Sequence, residues 1–244
     1  METPIPYPLL GLTFFVTMLG GCVSTFKSWA PNKFEFIINF CAGNFIGAVL
    51  FHMIPEATSI LRFQMVYPMV IGFFSIYGIE NALGSKDFTT QELVYQKMGL
   101  SALMGISFHS FVEGFAMGAA TLMDVGFVVV AAIIFHKFPV AMALSGLFIK
   151  AGKYDKKTII FIIFVFALTT PLGVLFSFGA FGVIDKYWLG VAIAVSAGTF
   201  IYLALFDLML IGNKQKGDKT ENMILFGLGM LAMFLFKNYQ NTIY

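Results

Sequence analysis

Long apolar runs alternate with short polar breaks along this chain, and this alternation constrains the fold more than any other feature. Only 11% of the 244 residues are charged, and the mean hydropathy is +0.86, whereas about a quarter of residues are charged in soluble domains. Each run is near the ~20 residues with which a helix crosses a bilayer core. The sequence therefore predicts an all-α polytopic membrane protein, a single transmembrane domain over residues 1–244 with eight transmembrane helices. The predicted spans are 6–26, 35–60, 65–84, 94–122, 125–150, 157–180, 185–212 and 220–240.

The basic residues predict the orientation of these spans, because cytosolic loops are enriched in Lys and Arg. If the N-terminus is outside, the outer ends hold only Arg62, Lys186 and Lys237. Both termini are therefore expected on the non-cytosolic side. The Pro-rich start, which has no basic n-region, predicts no cleaved signal peptide, and basic residues that lie in short loops between apolar runs give no reason to expect nucleic-acid binding. The inner ends then hold Lys27, Lys33, Lys86, Lys97, Lys150, Lys153, Lys156, Lys157, Lys214, Lys216 and Lys219.

Two apolar spans contain ionisable groups that suit a metal ion. His109 and Glu113 are four residues apart in the fourth span, so a helix presents both on one face. His136, three residues before Pro139, brings a second imidazole from the fifth span. Ionisable groups inside a membrane are costly and by default mark an ion or substrate path. Two imidazoles and a carboxylate are ligands for zinc or a similar divalent ion.

A faint internal repeat links the second and seventh spans. Residues 42–52 align without gaps with residues 197–207, with identity at Ala, Gly, Phe, Ile, Leu and Phe. The two copies end at His52 and Asp207, and the predicted topology gives them opposite directions across the membrane. Inverted repeats around a midplane site are common in transporters. The pattern predicts an inverted-repeat bundle with His52 in its outer half and Asp207 in its inner half.

Five motif segments lie between the second span and the seventh: Phe51-His-Met-Ile-Pro-Glu-Ala57, His109-Ser-Phe-Val-Glu-Gly114, His136-Lys-Phe-Pro-Val-Ala141, Thr170-Pro-Leu-Gly173 and Ser196-Ala-Gly-Thr-Phe-Ile-Tyr202. Taken together, these motifs resemble the ZIP (Zrt-, Irt-like) family of divalent metal transporters. The resemblance implies a ZIP-like bundle in which His109, Glu113 and His136 bind the transported metal, so that zinc, with iron or manganese as alternatives, is a substrate rather than a cofactor.

The chain departs from the two-metal centre of many family members. Ser110 stands where many have Asn, Lys137 where many have Asp or Glu, Val140 where many have Glu, and Thr170 where some have another carboxylate. A second divalent ion would need carboxylates to offset Coulomb repulsion. Lys137 is therefore expected to place its ammonium at the second metal position. The segment 84–91 replaces the usual His-rich loop between the third and fourth spans.

The sequence predicts a transporter, not an enzyme, that moves metal toward the cytosol. His52 and Glu56 suit an entrance site, and Asp207 suits an exit site. An alternative is an intramembrane zinc-dependent hydrolase of the ceramidase or adiponectin-receptor type, in which zinc activates water. The expected partners are the divalent metal ion, membrane lipids and, in a possible homodimer, a second copy. The expected location is the plasma membrane or an intracellular vesicle membrane.

Overall fold

A computed structural model describes residues 7–26, 31–83, 90–121, 127–180, 185–209 and 219–243. Within these ranges the regular structure is helical. A π-helical turn, Val49–Met53, joins α2 to α3, another, Leu203–Leu208, extends α8, and a 3-10 turn, Arg62–Met65, precedes α4. The helices are α1 (Tyr7–Phe26), α2 (Pro31–Ala48), α3 (Ile54–Leu61), α4 (Val66–Leu83), α5 (Gln91–Thr121), α6 (Phe127–Lys150), α7 (Lys156–Ala180), α8 (Lys186–Tyr202) and α9 (Lys219–Ile243).

Five helical stretches in the described residues are long and apolar enough to cross a bilayer, and the helix Leu10–Phe26 is apolar but shorter. One stretch of 50 residues is far longer than a single crossing requires, and it is interrupted at Arg62, where φ is +55°. The all-helical membrane fold is thus confirmed, while the number of eight crossings stays a prediction. The five stretches are Phe34–Leu83, Glu92–Gly118, Lys156–Gly179, Lys186–Leu208 and Lys219–Asn238.

Two aspartates begin helices at polar breaks that the sequence predicts. The Asp155 carboxylate accepts a hydrogen bond from the Thr158 backbone N–H at 3.0 Å, and that of Asp185 accepts one from the Tyr187 N–H at 3.2 Å. Such caps satisfy N–H groups that have no partner within the helix. Hydrogen bonds from the Thr158 side chain and backbone also lower the pKa of Asp155, which lies in an exposed loop.

The helices pack as two bundles. In the first bundle α5 packs on α7, α1 on α6 and on α7, and α5 on α6. In the second bundle α2 packs on α9, and α8 packs on both α3 and α4. Contacts between the bundles are sparser and run mainly from α5 to α8 and from α2 to α6. The interface between the bundles therefore lies along α5 and α6, the two helices that carry the predicted metal ligands.

Reciprocal glycines set the closest approach within the first bundle. A Cβ added to Gly114 would meet the Thr170 carbonyl oxygen, and one added to Gly173 would meet the Phe111 carbonyl oxygen. Small residues let membrane helices approach in this way. The contact holds α5 against α7 at the residue next to Glu113.

A pair of stacked phenylalanine rings joins α2 to α8 within the second bundle. Phe45 of α2 and Phe200 of α8 have ring centroids 4.3 Å apart and an interplanar angle of 17°. Both rings are buried. They occupy equivalent positions in the predicted repeat, and each copy of that repeat continues into one of the two π-helical turns.

Candidate metal centre

The carboxylate of Glu113 is the centre of the buried polar cluster between α5 and α6. His136 Nε2 lies 2.9 Å from Glu113 Oε1, and His109 Nε2 lies 3.9 Å from Glu113 Oε2. His109 and His136 are buried, and the Glu113 side chain is 13% exposed. The structure therefore brings together the three groups that the sequence predicts as central ligands.

The donor atoms of this cluster are close to the spacing that one metal ion requires. One donor atom from each of His109, Glu113 and His136 can be chosen so that all lie within 4.8 Å of one another. Because Zn–N and Zn–O bonds are about 2.0–2.2 Å long, two donors on one zinc ion are at most about 4.4 Å apart. The present donors are therefore within about 0.4 Å of that limit. The donor set fits zinc and, by the same chemistry, other borderline divalent ions.

The Lys137 ammonium lies in the same cluster. Its Nζ is 2.8 Å from Glu113 Oε2 and donates to Ser110 Oγ at 2.7 Å. The side chain is only 2% exposed, so it does not reach an interface as a long surface lysine would. His136 and Lys137 thus contact different oxygens of the Glu113 carboxylate.

His109 is held from the opposite bundle by two residues for which the sequence analysis predicts no contact with it. Its Nδ1 lies 2.9 Å from Ser196 Oγ, and its ring centroid lies 4.1 Å from that of Phe200. Ser196 and Phe200 are one turn apart on α8. Both residues lie in the matching segment 196–202, but their contact with His109 depends on how α8 packs against α5, which the local sequence pattern does not specify.

The predicted entrance residues lie apart from the central cluster. His52 is in the π-helical turn Val49–Met53, and both its ring nitrogens are buried without a hydrogen-bond partner. It interacts electrostatically with His136 and Glu113 but is not one of the clustered donors. Glu56 is exposed, and the charges that act on it are Lys186 and Lys237.

The predicted exit residue Asp207 belongs to a second polar network. Its carboxyl group is hydrogen-bonded to that of Glu80. Ser101 Oγ lies 2.9 Å from Glu80 Oε1 and 3.5 Å from Asp207 Oδ2, and the Tyr202 hydroxyl donates to Glu80 Oε2 at 2.8 Å. Glu80 is buried and is not the solvated helix end that its position near a polar break suggests. Ser101 is on α5, so the network also joins the two bundles.

These features define the class of protein: a polytopic helical membrane protein with a buried divalent-cation donor set at the interface of two helix bundles. Residues 80–237, well over half of the chain, match the family described as ZIP Zinc transporter. The chain belongs to this family. Its members are transporters rather than enzymes, so the hydrolase alternative is set aside.

Curated relatives agree with this assignment. The chain is 34% identical over 153 residues to Zinc transporter 7 of Arabidopsis thaliana, covering 59% of this chain and 41% of that protein. It is 30% identical over 137 residues to Zinc transporter 8 of Oryza sativa subsp. japonica, covering 53% and 35%. It is 26% identical over 240 residues to Fe(2+) transport protein 1 of Arabidopsis thaliana, covering 77% and 69%. The chain thus spans less than half the length of the two zinc transporters.

Proposed function

We propose that this protein carries divalent metal ions across a membrane toward the cytosol, and that His109, Glu113 and His136 bind the ion midway. The observation that carries this proposal is the buried donor cluster at the interface of two bundles in a member of a metal-transporter family. Binding at such a site must be selective yet weak enough to allow release.

Zinc is the first candidate substrate, and ferrous iron or manganese are alternatives. Two imidazoles and a carboxylate suit zinc, and the named relatives include zinc transporters and Fe(2+) transport proteins. The same ligands also accept neighbouring divalent metals, because selectivity among them depends on geometry and availability more than on ligand type. Competition between zinc and the other ions in an uptake assay ranks them directly.

The proposed architecture is an inverted repeat of eight spans with both termini on the non-cytosolic side. The two π-helical turns fall at the ends of the repeat copies, and the equivalent residues Phe45 and Phe200 stack on each other. The proposed repeat relates α2 to α8, α4 to α9, α1 to α7 and α5 to α6. Under this relation the packed pair α2–α9 corresponds to the packed pair α8–α4, and α1–α6 corresponds to α7–α5. The lysine argument for orientation rests partly on Lys27, Lys86, Lys214 and Lys216, which lie outside the described residues, as does most of segment 84–91. Accessibility of tags at the two termini tests the orientation.

The proposed path enters at His52 and Glu56 and leaves past Asp207. The central ligands belong to the first bundle, whereas the three path residues belong to the second bundle. Rocking of one bundle against the other would bring the central ion alternately toward each end. His52→Ala and Asp207→Ala are expected to slow uptake or raise its KM without abolishing it, because water can replace a ligand near a mouth. Complete loss of uptake in Asp207→Ala would assign Asp207 to the primary site instead.

The proposal also includes the number of ions at the centre, the domain organisation, the membrane and the oligomeric state. Lys137 takes the place of a second metal ion, so the centre holds one ion. Residues 1–244 act as one transport domain, surrounded by lipids in the plasma membrane or a vesicle membrane. Assembly with a second copy as a homodimer is part of the proposal, and cross-linking in intact membranes tests it.

Removal of a central ligand tests the proposed function. His109→Ala and Glu113→Ala are each expected to abolish zinc uptake in cells or proteoliposomes, because each removes a donor from the central site. Met104→Ala is a matched control on the same helix, since Met104 is 51% exposed and outside the donor cluster. Normal uptake by either ligand variant, at surface expression equal to that of the control, contradicts the assignment.

A further inference from the structure

The ring of His109 is fixed by two side chains of α8. Ser196 Oγ lies 2.9 Å from Nδ1, and the Phe200 ring packs against the imidazole with an interplanar angle of 43°. Both α8 residues are almost completely buried, so water does not replace these contacts. One face and one edge of the imidazole are therefore held by a helix of the second bundle, although His109 itself belongs to the first.

The contact with Ser196 bears on which ring nitrogen can bind a metal. Neutral imidazole has one N–H donor and one acceptor nitrogen, and the hydrogen bond at one nitrogen selects the role of the other. His109 Nε2 faces the Glu113 carboxylate, is buried and has no hydrogen-bond partner. If Nδ1–H donates to Ser196 Oγ, Nε2 keeps its lone pair toward Glu113. If Ser196 donates to Nδ1, a proton occupies Nε2 and blocks coordination.

We propose that Ser196 is a positioning residue of the central site and that it links metal affinity to the arrangement of the two bundles. This inference rests on the proposed function. Metal coordination through Nε2 favours the tautomer in which Nδ1–H donates to Ser196 Oγ, because a metal-bound histidine almost always donates its other ring N–H to an oxygen acceptor. Because Ser196 is on α8 and His109 is on α5, movement of one bundle along the other breaks this hydrogen bond.

The consequence is a difference in metal affinity between conformations. In the arrangement described here, Ser196 selects the metal-binding tautomer and Phe200 fixes the plane of the ring. After the bundles move, both constraints are lost and the ion is held more weakly. By linkage, the ion must in turn stabilise the arrangement that binds it more tightly. Formation of this hydrogen bond thus favours metal capture in one arrangement, and its loss favours metal release in the other.

Removal of the Ser196 hydroxyl provides the test. Ser196→Ala is expected to raise the zinc dissociation constant of the purified protein by about 10–100-fold, the usual effect of losing such a partner. The KM for zinc uptake should rise in parallel while the maximal rate is retained. Ser196→Thr keeps a hydroxyl and should restore most of the affinity. Thr199→Val is a matched control, because the buried Thr199 hydroxyl donates to the Ser196 carbonyl within its own helix at 2.8 Å.

A spectroscopic measurement separates positioning from a general loss of structure. The chain has three histidines, so ¹⁵N-histidine NMR spectra are simple enough to assign with His109→Ala as reference. Wild-type and Thr199→Val protein should show His109 protonated at Nδ1, and Ser196→Ala should show a mixture of tautomers. Wild-type His109 protonated at Nε2 would overturn the inference.

The binding results distinguish this inference from the proposed function. Wild-type protein that binds and transports zinc, with a Ser196→Ala dissociation constant unchanged within about two-fold, overturns the inference alone. An equal loss of affinity in Thr199→Val also overturns it, because that variant leaves the Ser196 hydroxyl in place. Wild-type protein that neither binds nor transports zinc, ferrous iron or manganese overturns the proposed function and the inference together.

Discussion

A buried lysine beside the proposed ligand Glu113 bears on how many ions the proposed centre can hold. The Lys137 ammonium is 2.8 Å from a Glu113 oxygen, and the other three positions that differ from the two-metal pattern, Ser110, Val140 and Thr170, are uncharged and buried. Two divalent ions would bring four positive charges to one carboxylate. Their repulsion is poorly screened away from water. A tethered ammonium group at the second position repels the first ion less than a second divalent ion would.

We therefore expect one metal ion per chain at the centre. Lys137→Met should still bind one ion, because the three central ligands remain, whereas Lys137→Asp should admit a second ion or bind the first more tightly. Tighter binding slows release, so the Lys137→Asp variant should also turn over more slowly. Metal analysis of purified protein together with initial uptake rates checks both expectations.

The comparison of the two Lys137 variants provides the internal control, since both remove the ammonium and only one adds a carboxylate. Equal stoichiometry and equal turnover in the two variants would indicate that charge at this position does not set ion number. A crystal or cryo-EM map of the unmodified protein with two fully occupied ions between α5 and α6 would contradict the single-ion centre.

Side chains within one helical turn of each other were predictable, whereas partners from distant helices were not. His109 and Glu113 are adjacent because their spacing matches the helical repeat. His136 was predicted as a ligand because an imidazole inside an apolar span is costly and by default marks an ion path. Ser196, Ser101 and the buried role of Glu80 depend on the seating of one helix against another. That seating follows from packing of many side chains, which a hydropathy pattern does not specify.

At the scale of helices, the sequence predicts positions well and local geometry poorly. The predicted span 125–150 corresponds to Phe127–Lys150, and the predicted span 157–180 to Lys156–Ala180. The π-helical turns Val49–Met53 and Leu203–Leu208 were not predicted. Such a turn changes which face of the helix the following side chains occupy, and these rare turns are frequently found at functional sites. Here each turn contains a proposed path residue, His52 in the first and Asp207 in the second.

The close contact of α5 with α7 yields a prediction at this scale. Gly114→Ala is expected to destabilise the protein by about 1–3 kcal/mol, because the added methyl group would meet the Thr170 carbonyl and force the helices apart. Gly179→Ala is the matched control, since nothing lies within 4 Å of a Cβ at that position in α7. Thermal unfolding in detergent compares the two variants, and equal unfolding temperatures would contradict the close-approach argument.

At the scale of the whole molecule, the buried ionisable residues are distributed over both bundles. The central donors are on α5 and α6 in the first bundle, while Asp207, Glu80 and His52 belong to the second. Polar contacts that cross the interface include that of His109 with Ser196 at the centre and that of Ser101 with Glu80 nearer the predicted inner end. Relative movement of the bundles must break both contacts, whereas movement within a bundle would disrupt closely packed helices.

Covalent locking of the bundles tests whether transport requires this movement. A Cβ at Gly105 of α5 would lie 3.6 Å from the Thr199 Cβ of α8, within the range of about 3.5–4.5 Å found in disulfides. In a background with Cys22 and Cys41 replaced by alanine, oxidised Gly105→Cys/Thr199→Cys protein should lose metal uptake, and a reductant should restore it. The pair Gly118→Cys/Ser177→Cys, with a Cβ separation of 3.0 Å within the first bundle, needs a slight helix shift to form its bond and should keep transporting when oxidised. Full uptake by the oxidised cross-bundle variant would show that the ion crosses without relative movement of the two bundles.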